Sequence, residues 1–231
     1  MKKLIILYLV VFSGLTATAQ VSRYLEKGQS GLGIKISAPT TYGVQGFSAQ
    51  IGGSIKGIVD IEVSYTKNAY NEKRLDYLLD NNANSSLYEG WINVWLFRKE
   101  IIPAILVDIC LWGGYAYSGY KNYRYMEPDT TIFQSYHEGQ VGFEAGFTFK
   151  LTDTWWLQPG YFAYFAFGQE RWDNKTGLVK NNYTGVGSSI YVGLAKKIKK
   201  STIYIQANQS FDSYQGSTNA YKISLGYVLG F

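Results

Sequence analysis

The chain has 231 residues and a formal net charge of +5, and 46% of its residues are hydrophobic, 17% aromatic and 17% charged. The charged share is well below the roughly 25% of an ordinary soluble domain, so the composition argues against one. The slight positive charge does not indicate nucleic-acid binding. Because the chain has one His and one Cys, we expect no intrachain disulfide, no metal site and no cofactor.

The start of the chain predicts an export signal. Lys2 and Lys3 precede an apolar run over residues 4–12, and "TATAQ" then gives an A-x-A pattern at Ala17 and Ala19. This arrangement is typical of a cleaved signal peptide over residues 1–19. The apolar run is shorter than the roughly 20 residues of a spanning helix, and every later candidate is interrupted. We therefore expect one exported domain over residues 20–231, with no helical anchor.

The rest of the chain alternates apolar and polar residues with a period of two, which is the period of a β-strand. This pattern predicts ten strands, at 29–37, 44–55, 58–67, 87–97, 104–118, 135–151, 155–169, 184–196, 202–211 and 221–231. Pro159 cannot donate a hydrogen bond within a sheet, so it predicts a bulge or a local break in the seventh strand.

The connections predict how the strands are arranged. Short turns at 56–57, 98–103, 152–154 and 197–201 alternate with longer polar loops at 68–86, 119–134, 170–183 and 212–219. This alternation is typical of an up-and-down antiparallel transmembrane β-barrel with short periplasmic turns and long external loops. We predict about ten strands, with eight as the alternative. A secreted β-sandwich would also alternate, but its strands average about 5 or 6 residues.

Aromatic residues lie where the predicted strands meet the membrane boundary. Phe97, Trp155 and Trp156 fall at predicted periplasmic strand ends, which is the position of an aromatic girdle.

The last strand carries a further pattern. Its alternate residues are apolar or aromatic up to the final position, namely Tyr221, Ile223, Leu225, Tyr227, Leu229 and Phe231. In this feature the chain resembles the small outer-membrane β-barrel proteins of Gram-negative bacteria. It resembles in particular the barrel-domain families of Bacteroidota, in which a Gln often follows the cleavage site, as Gln20 does. The resemblance implies location in the outer membrane among lipid and lipopolysaccharide, with the last strand serving as the insertion signal for the barrel assembly machinery. Because barrels host many functions, it implies little about activity.

The polar face of each strand would point into the barrel. The charged residues predicted for this lumen are Lys35, Asp60, Glu62, Glu89, Asp108, Glu144, Lys150 and Lys222. We expect the two signs to face one another across the barrel. One interpretation is a constriction that selects solutes by charge. The favoured interpretation is a set of salt bridges that fills a narrow barrel, because ten strands enclose little room and Trp91, Trp95 and Trp112 also point inward. Cys110 is predicted to pack inside as a small apolar residue.

Ser135 and His137 are the candidate pair for catalysis. They lie two apart on a face that should contact lipid, and a serine beside an imidazole is the minimum for an activated nucleophile. Outer-membrane lipid A deacylases are similar in carrying a His and a Ser two apart on the lipid-facing rim. In those enzymes, however, the His comes first and near the C-terminal end, whereas here Ser135 precedes His137 in a middle strand, and Glu138 faces the other way. We therefore favour a rim histidine over a hydrolase.

Taken together, these features predict an outer-membrane barrel without catalysis that serves as a structural, adhesion or small-pore protein. The alternatives are a lipid-directed hydrolase using Ser135 and His137, or an accessory barrel of a secretion system. An extracellular or periplasmic protein partner is compatible with the polar loops and with the basic turn at 197–201.

Overall fold

A computed structural model describes residues 21–26, 28–41, 43–70, 79–125, 131–174, 177–212 and 220–231. The predicted signal peptide lies outside them, and none of the described residues forms a helix that could cross a membrane. One short 3-10 helix, Ser22–Tyr24, precedes ten strands. These are β1 Gly31–Thr41, β2 Val44–Ile55, β3 Val59–Tyr70, β4 Leu79–Ile102, β5 Ile105–Tyr125, β6 Thr131–Lys150, β7 Trp155–Asn174, β8 Gly177–Ile198, β9 Ser201–Asp212 and β10 Ala220–Gly230.

The ten strands close into one antiparallel barrel. Each strand pairs with its neighbours in the chain, and β1 closes the barrel on β10, with Gly31 opposite Gly230 and Thr40 opposite Tyr221. Closure leaves no free sheet edge, which is what a lipid environment demands. The prediction of a ten-stranded up-and-down barrel is confirmed, and the eight-stranded alternative is wrong.

The strand pairing also fixes the stagger of the barrel. We follow the paired residues around the barrel from Lys35 in both directions until each route reaches β8. The route through β2 to β7 arrives at Tyr183, and the route through β10 and β9 arrives at Ala195. The stagger is therefore 195 − 183 = 12 residues, which tilts the strands by about 40°. Ten strands give a wider interior than the eight-stranded barrels that side chains alone just fill, so this lumen has room for more than its own side chains.

The two ends of the barrel differ. At the end that we call proximal, residues 56–58, 103–104, 151–154 and 199–200 make the turns and β10 stops beside Phe231. At the opposite, distal end, much of the predicted loops is strand. Residues 79–86, 119–125, 131–134, 170–174 and 177–183 extend β4 to β8, which have 20 to 24 residues, whereas β1 has 11. The loop prediction was wrong there because the outward residues of these extensions are polar, as Asn84, Gln134 and Lys180 are, so the apolar alternation that reveals a strand is lost.

The two faces of each strand have opposite character. On β10 the side chains of Tyr221, Ile223, Leu225, Tyr227 and Leu229 are exposed on the outside, and the residues between them are buried inside. The same alternation runs along β1 and β3. Exposed apolar residues thus form an outer band, as in a barrel that faces lipid. Phe231 follows the last strand, with its side chain exposed and its N–H bonded to the Ser30 carbonyl at 2.9 Å.

Pro159 interrupts one ladder without shifting it. β6 and β7 pair at Gly146 with Gly160 and again at Phe149 with Leu157, in the same register on both sides of the gap, and Pro159 pairs in step with Val192 on β8. The structure therefore shows the local break and not the bulge, because the missing N–H removes a bond without adding a residue.

Candidate functional site: the lumen and its N-terminal plug

Residues Val21–Leu25 enter the barrel from the proximal end and lie inside the lumen. We call this segment the plug. Its residues are at most 5% exposed, and its centre forms the 3-10 helix. A segment that belongs to no strand thus occupies the space that ten strands leave open.

Glycines on the inner wall make room for the plug. A Cβ atom at position 33 would lie 3.0 Å from Cγ2 of Val21, and one at position 52 would lie 3.1 Å from the same atom. A Cβ at position 31 would lie 2.8 Å from a Leu25 methyl group. Gly31, Gly33 and Gly52 are therefore lumen positions where side chains would compete with the plug for space.

Polar side chains from β2 and β3 hold Ser22. The Ser22 N–H donates to Oδ2 of Asp60 at 3.1 Å, and the Ser22 hydroxyl bonds both to Asp60 Oδ1 and to the Ser54 hydroxyl, the latter at 2.7 Å. The indole N–H of Trp95 donates to the same Asp60 carboxylate at 3.1 Å. Asp60 is completely buried, so these donors replace the water that the charge has lost.

Arg98 on β4 satisfies the backbone carbonyls of the plug. Its guanidinium donates to the carbonyl oxygens of Ser22, Arg23 and Leu25 at 2.5, 3.1 and 2.7 Å. The hydroxyl of Thr202 donates to the Tyr24 carbonyl at 3.1 Å. A segment outside the sheet has no ladder partners, and unpaired buried carbonyls are costly, so these donors are what allow the plug to stay inside.

Arg23 projects across the lumen and is 1% exposed. Its Nη2 lies 2.9 Å from Glu144 Oε1, and its Nη1 donates to the Tyr191 hydroxyl, which in turn donates to Glu144. The guanidinium carbon lies 4.9 Å from the centroid of the Tyr191 ring and 5.6 Å from that of Trp95. Asp108, also buried, lies within electrostatic range of Arg23. We call Asp108, Glu144, Trp95 and Tyr191 the cage.

A second charged layer lies in the lumen between β1, β10, β3 and β4. Lys35 and Lys222 are buried there within electrostatic range of Glu89, and Lys35 also of Glu62. Gln50 donates to Glu62 at 3.0 Å, and Ser64 donates to Glu89 at 2.5 Å. Lysines thus face carboxylates on nearby strands. Asp108 and Glu144 instead lie 3.4 Å from Nε of Arg98 and 2.9 Å from Nη2 of Arg23.

Lys150 does not lie in the lumen as predicted. Its ammonium is 2.9 Å from Glu100 at the proximal rim, and its side chain is 38% exposed. The alternation of inward and outward residues along the strand predicted an inward side chain. Lys150 is, however, the last residue of β6, where the barrel wall ends and a lysine reaches water.

Aromatic rings fill the middle of the lumen. Trp91 and Trp112 meet edge to face at 5.4 Å, and Phe162 packs against Trp112 at 6.1 Å, with Tyr191 in the same buried cluster. Cys110 is fully buried, as expected of a packed apolar residue. Because Tyr191 belongs to both groups, these rings connect the cage to β4, β5 and β7.

A cavity of about 530 Å³ opens at the proximal end. Arg23, Leu25, Arg98 and Trp156 line it together with charged rim residues such as Lys197. Trp156 packs against the cluster around Tyr24, so it belongs to the lumen and not to the girdle. Trp155 does point outward, with Lys196 5.2 Å from its ring.

Ser135 and His137 do not form a catalytic pair in this structure. Nδ1 of His137 is 2.6 Å from the Tyr115 hydroxyl, and its ring packs 5.0 Å from Tyr117. No hydrogen bond joins Ser135 to His137 in the part of the chain that the structure describes. Glu138 points into the lumen, where it accepts from Tyr183 at 2.8 Å. The imidazole is thus held by tyrosines of β5, without a serine or an acid beside it.

Solved structures with this fold are outer-membrane β-barrels of Gram-negative bacteria. The translocator domain of autotransporter NalP from Neisseria meningitidis is 9% identical with a TM-score of 0.53, over 100% of this chain and 95% of that one. The outer membrane protease OmpT from Escherichia coli is 8% identical with a TM-score of 0.46, over 88% and 96%. Ail, the attachment invasion locus protein of Yersinia pestis, is 11% identical with a TM-score of 0.35, over 89% and 100%. No family model and no curated protein sequence matches the chain. At such identities the likeness to NalP shows the fold alone: this chain has an outer-membrane β-barrel fold.

Proposed function

We propose that this chain is a non-catalytic outer-membrane protein whose barrel is closed at rest by its own N-terminal segment. In this proposal the signal peptide over residues 1–19 directs export, and the proximal end faces the periplasm. The outer apolar band and the fold shared with NalP support this location.

The observation that carries the proposal is the plug. Five consecutive residues lie buried inside the barrel, and side chains of β3, β4, β6 and β9 hold four of them. Of the structural, adhesion and small-pore roles, a closed barrel favours the first two. The distal extension of β4 to β8 supports an adhesion role, because it raises a wall of strands beyond the shorter β1, β2, β3, β9 and β10.

A pore is the second candidate, and one observation favours it. Among the described residues, the plug touches the wall through contacts that are not covalent and leads into β1, and the cavity beside it reaches Arg23 from the proximal mouth. A plug held in this way can leave without unfolding the wall.

Planar-bilayer conductance separates the two states. We expect the full mature chain to show no discrete steps, and a chain lacking residues 21–25 to conduct. A parent that conducts as well as the shortened chain would contradict closure. A folded but silent shortened chain would reject the pore and leave the structural and adhesion roles.

Insertion into the membrane is a separate part of the proposal. We propose that the exposed alternate residues of β10 and Phe231 are recognised by the barrel assembly machinery, with lipid and lipopolysaccharide around the finished barrel. Deleting Phe231 should lower the amount of heat-modifiable, folded protein in outer-membrane fractions. Normal amounts would count against this role.

A further inference from the structure

The surroundings of Arg23 have the chemistry of a guanidinium-binding site. A guanidinium is planar, carries its charge over three nitrogens and combines two modes of contact, namely donation in its plane and stacking on its faces. The cage supplies both. Glu144 Oε1 forms an ion pair with Nη2 of Arg23 at 2.9 Å, while the rings of Tyr191 and Trp95 lie within cation–π range of the guanidinium carbon.

The cage also has acceptor capacity beyond what it uses. Asp108 is fully buried, and neither of its carboxylate oxygens accepts a hydrogen bond within the described ranges; its Oδ1 lies 3.4 Å from Nε of Arg98. Nε and Nη2 of Arg23 likewise lack hydrogen-bond partners there. A guanidinium with more freedom than one tethered to the plug backbone could therefore satisfy more acceptors in this site.

Two glycines of the barrel wall leave space for the guanidinium of Arg23. Gly146 pairs with Asp108 on one side and with Gly160 on the other. A Cβ atom at position 146 would overlap the Arg23 guanidinium, and one at position 160 would overlap the Tyr191 ring. Two glycines in register thus open a slot in which the ring and the cation lie against the backbone of β6 and β7.

The site has an entrance at the proximal end. The cavity of about 530 Å³ is lined by Arg23 itself, so a solute that enters it reaches the cage once the side chain of Arg23 has moved. Arg98, Leu25, Thr148 and Trp156 also line it. The volume of this cavity is large enough to hold an arginine side chain or a small guanidinium compound.

We propose that the cage is a guanidinium-binding site that Arg23 occupies as an internal ligand, and that it binds guanidinium-bearing solutes or arginine side chains when Arg23 is absent or displaced. The inference rests on the proposed function in one respect, because access in the native protein requires the plug to move. The affinity of the cage itself does not depend on whether the barrel conducts.

Chemical rescue tests the proposal. The substitution Arg23→Ala removes the heavy atoms that make up ethylguanidinium. We expect ethylguanidinium to raise the melting temperature of the full mature Arg23→Ala protein in detergent saturably, by about 3 to 6 °C at ten times its dissociation constant. Ethylurea, which is neutral and nearly isosteric, should have no such effect, and ethylammonium should have a smaller one. The parent should not respond, because its cage is occupied.

Each outcome decides the matter. An equal response to ethylurea, an equal response of the parent, or no response of Arg23→Ala would overturn the proposal, and so would an undiminished response of Arg23→Ala/Glu144→Gln. If Arg23→Ala does not fold alone, recovery of folded protein on refolding with ethylguanidinium supports the site, and no recovery rejects it. A conducting parent with normal rescue would reject closure alone, whereas a silent parent without rescue would reject the cage alone.

Discussion

The lumen contains two charged layers that are balanced in different ways. In the lysine layer, Lys35 and Lys222 come from the barrel strands themselves and face Glu62 and Glu89. In the plug layer, the carboxylates Asp60, Asp108 and Glu144 are also on strands, but of the two arginines beside them only Arg98 is on a strand, whereas Arg23 comes from outside the sheet. The wall alone can therefore balance the first layer but not the second. The difference indicates that the plug is part of the folded barrel and not an appendage to it.

Removing Arg23 should have the largest effect. Arg23→Ala leaves Glu144 buried without its partner, which typically costs about 3–5 kcal/mol, so we expect a loss of that size in the free energy of unfolding. Urea unfolding in detergent measures it. The matched control is Arg23→Met/Glu144→Leu, which removes both charges and should recover most of the loss. Equal losses in the single and double variants would show that the ion pair is not what holds the plug layer.

Adding a side chain at Gly52, which packs against the plug, should have the next largest effect. A Cβ at position 52 would lie 3.1 Å from Val21 and 2.8 Å from the flexible side chain of Glu62. We expect Gly52→Val to displace the plug, to cost about 1–3 kcal/mol through overpacking and to allow discrete conductance steps. Gly53→Val is the matched control because a Cβ at 53 would make ordinary contacts, at 3.4 Å from the outward side chain of Leu32 and 3.9 Å from the Gly31 carbonyl oxygen. If both variants behave alike in bilayers, the plug does not pack against position 52 as the structure shows.

A change in the lysine layer should be milder. Lys35→Met keeps the aliphatic bulk and leaves Lys222 beside Glu89, so we expect a loss of about 1–2 kcal/mol, toward the low end for an unpaired buried group. The plug should stay in place, and the bilayer should stay silent. Conductance in Lys35→Met comparable to that of Gly52→Val would mean that the two layers are coupled and not independent.

Changes on the outer face should have the smallest effect. Ser135 is 7% exposed, but alanine fills nearly the same space, so Ser135→Ala should lower the free energy of unfolding by at most about 1 kcal/mol. It should also leave the acyl chains of lipid A unchanged in native membranes. Loss of a lipid A deacylation that the parent performs would revive the hydrolase alternative, and mass spectrometry of extracted lipid A detects it.

The sequence predicted the fold well because lipid and lumen impose a strict period of two. The inward positions of Asp60, Asp108 and Glu144 follow from that period alone. The prediction of strands failed where the outer face is polar, as in the distal parts of β4 to β8. It also failed at strand ends, as for Lys150.

The two-residue alternation that reveals strands could not predict the plug, because residues 21–25, "VSRYL", form no strand. One indirect signal was present. Without Lys150, the predicted lumen holds five acids, namely Asp60, Glu62, Glu89, Asp108 and Glu144, but only two lysines. Buried charges need partners, so this excess implies cations from elsewhere. Arg23 and Arg98 supply them, but which residues do so depends on contacts between distant parts of the chain.

A disulfide between position 21 of the plug and position 52 of β2 tests most directly the central claim, which is that the plug lies inside the lumen. The variant carries Val21→Cys and Gly52→Cys, with Cys110→Ser to remove the native thiol. The short approach of Val21 to a Cβ at position 52 is compatible with a disulfide. We predict that the bond forms in the folded, membrane-inserted barrel and appears as a linked peptide in mass spectrometry, while a Val21→Cys/Gly53→Cys control stays reduced. A folded barrel in which position 21 fails to link to 52, or links equally to 53, would contradict a plug inside the lumen.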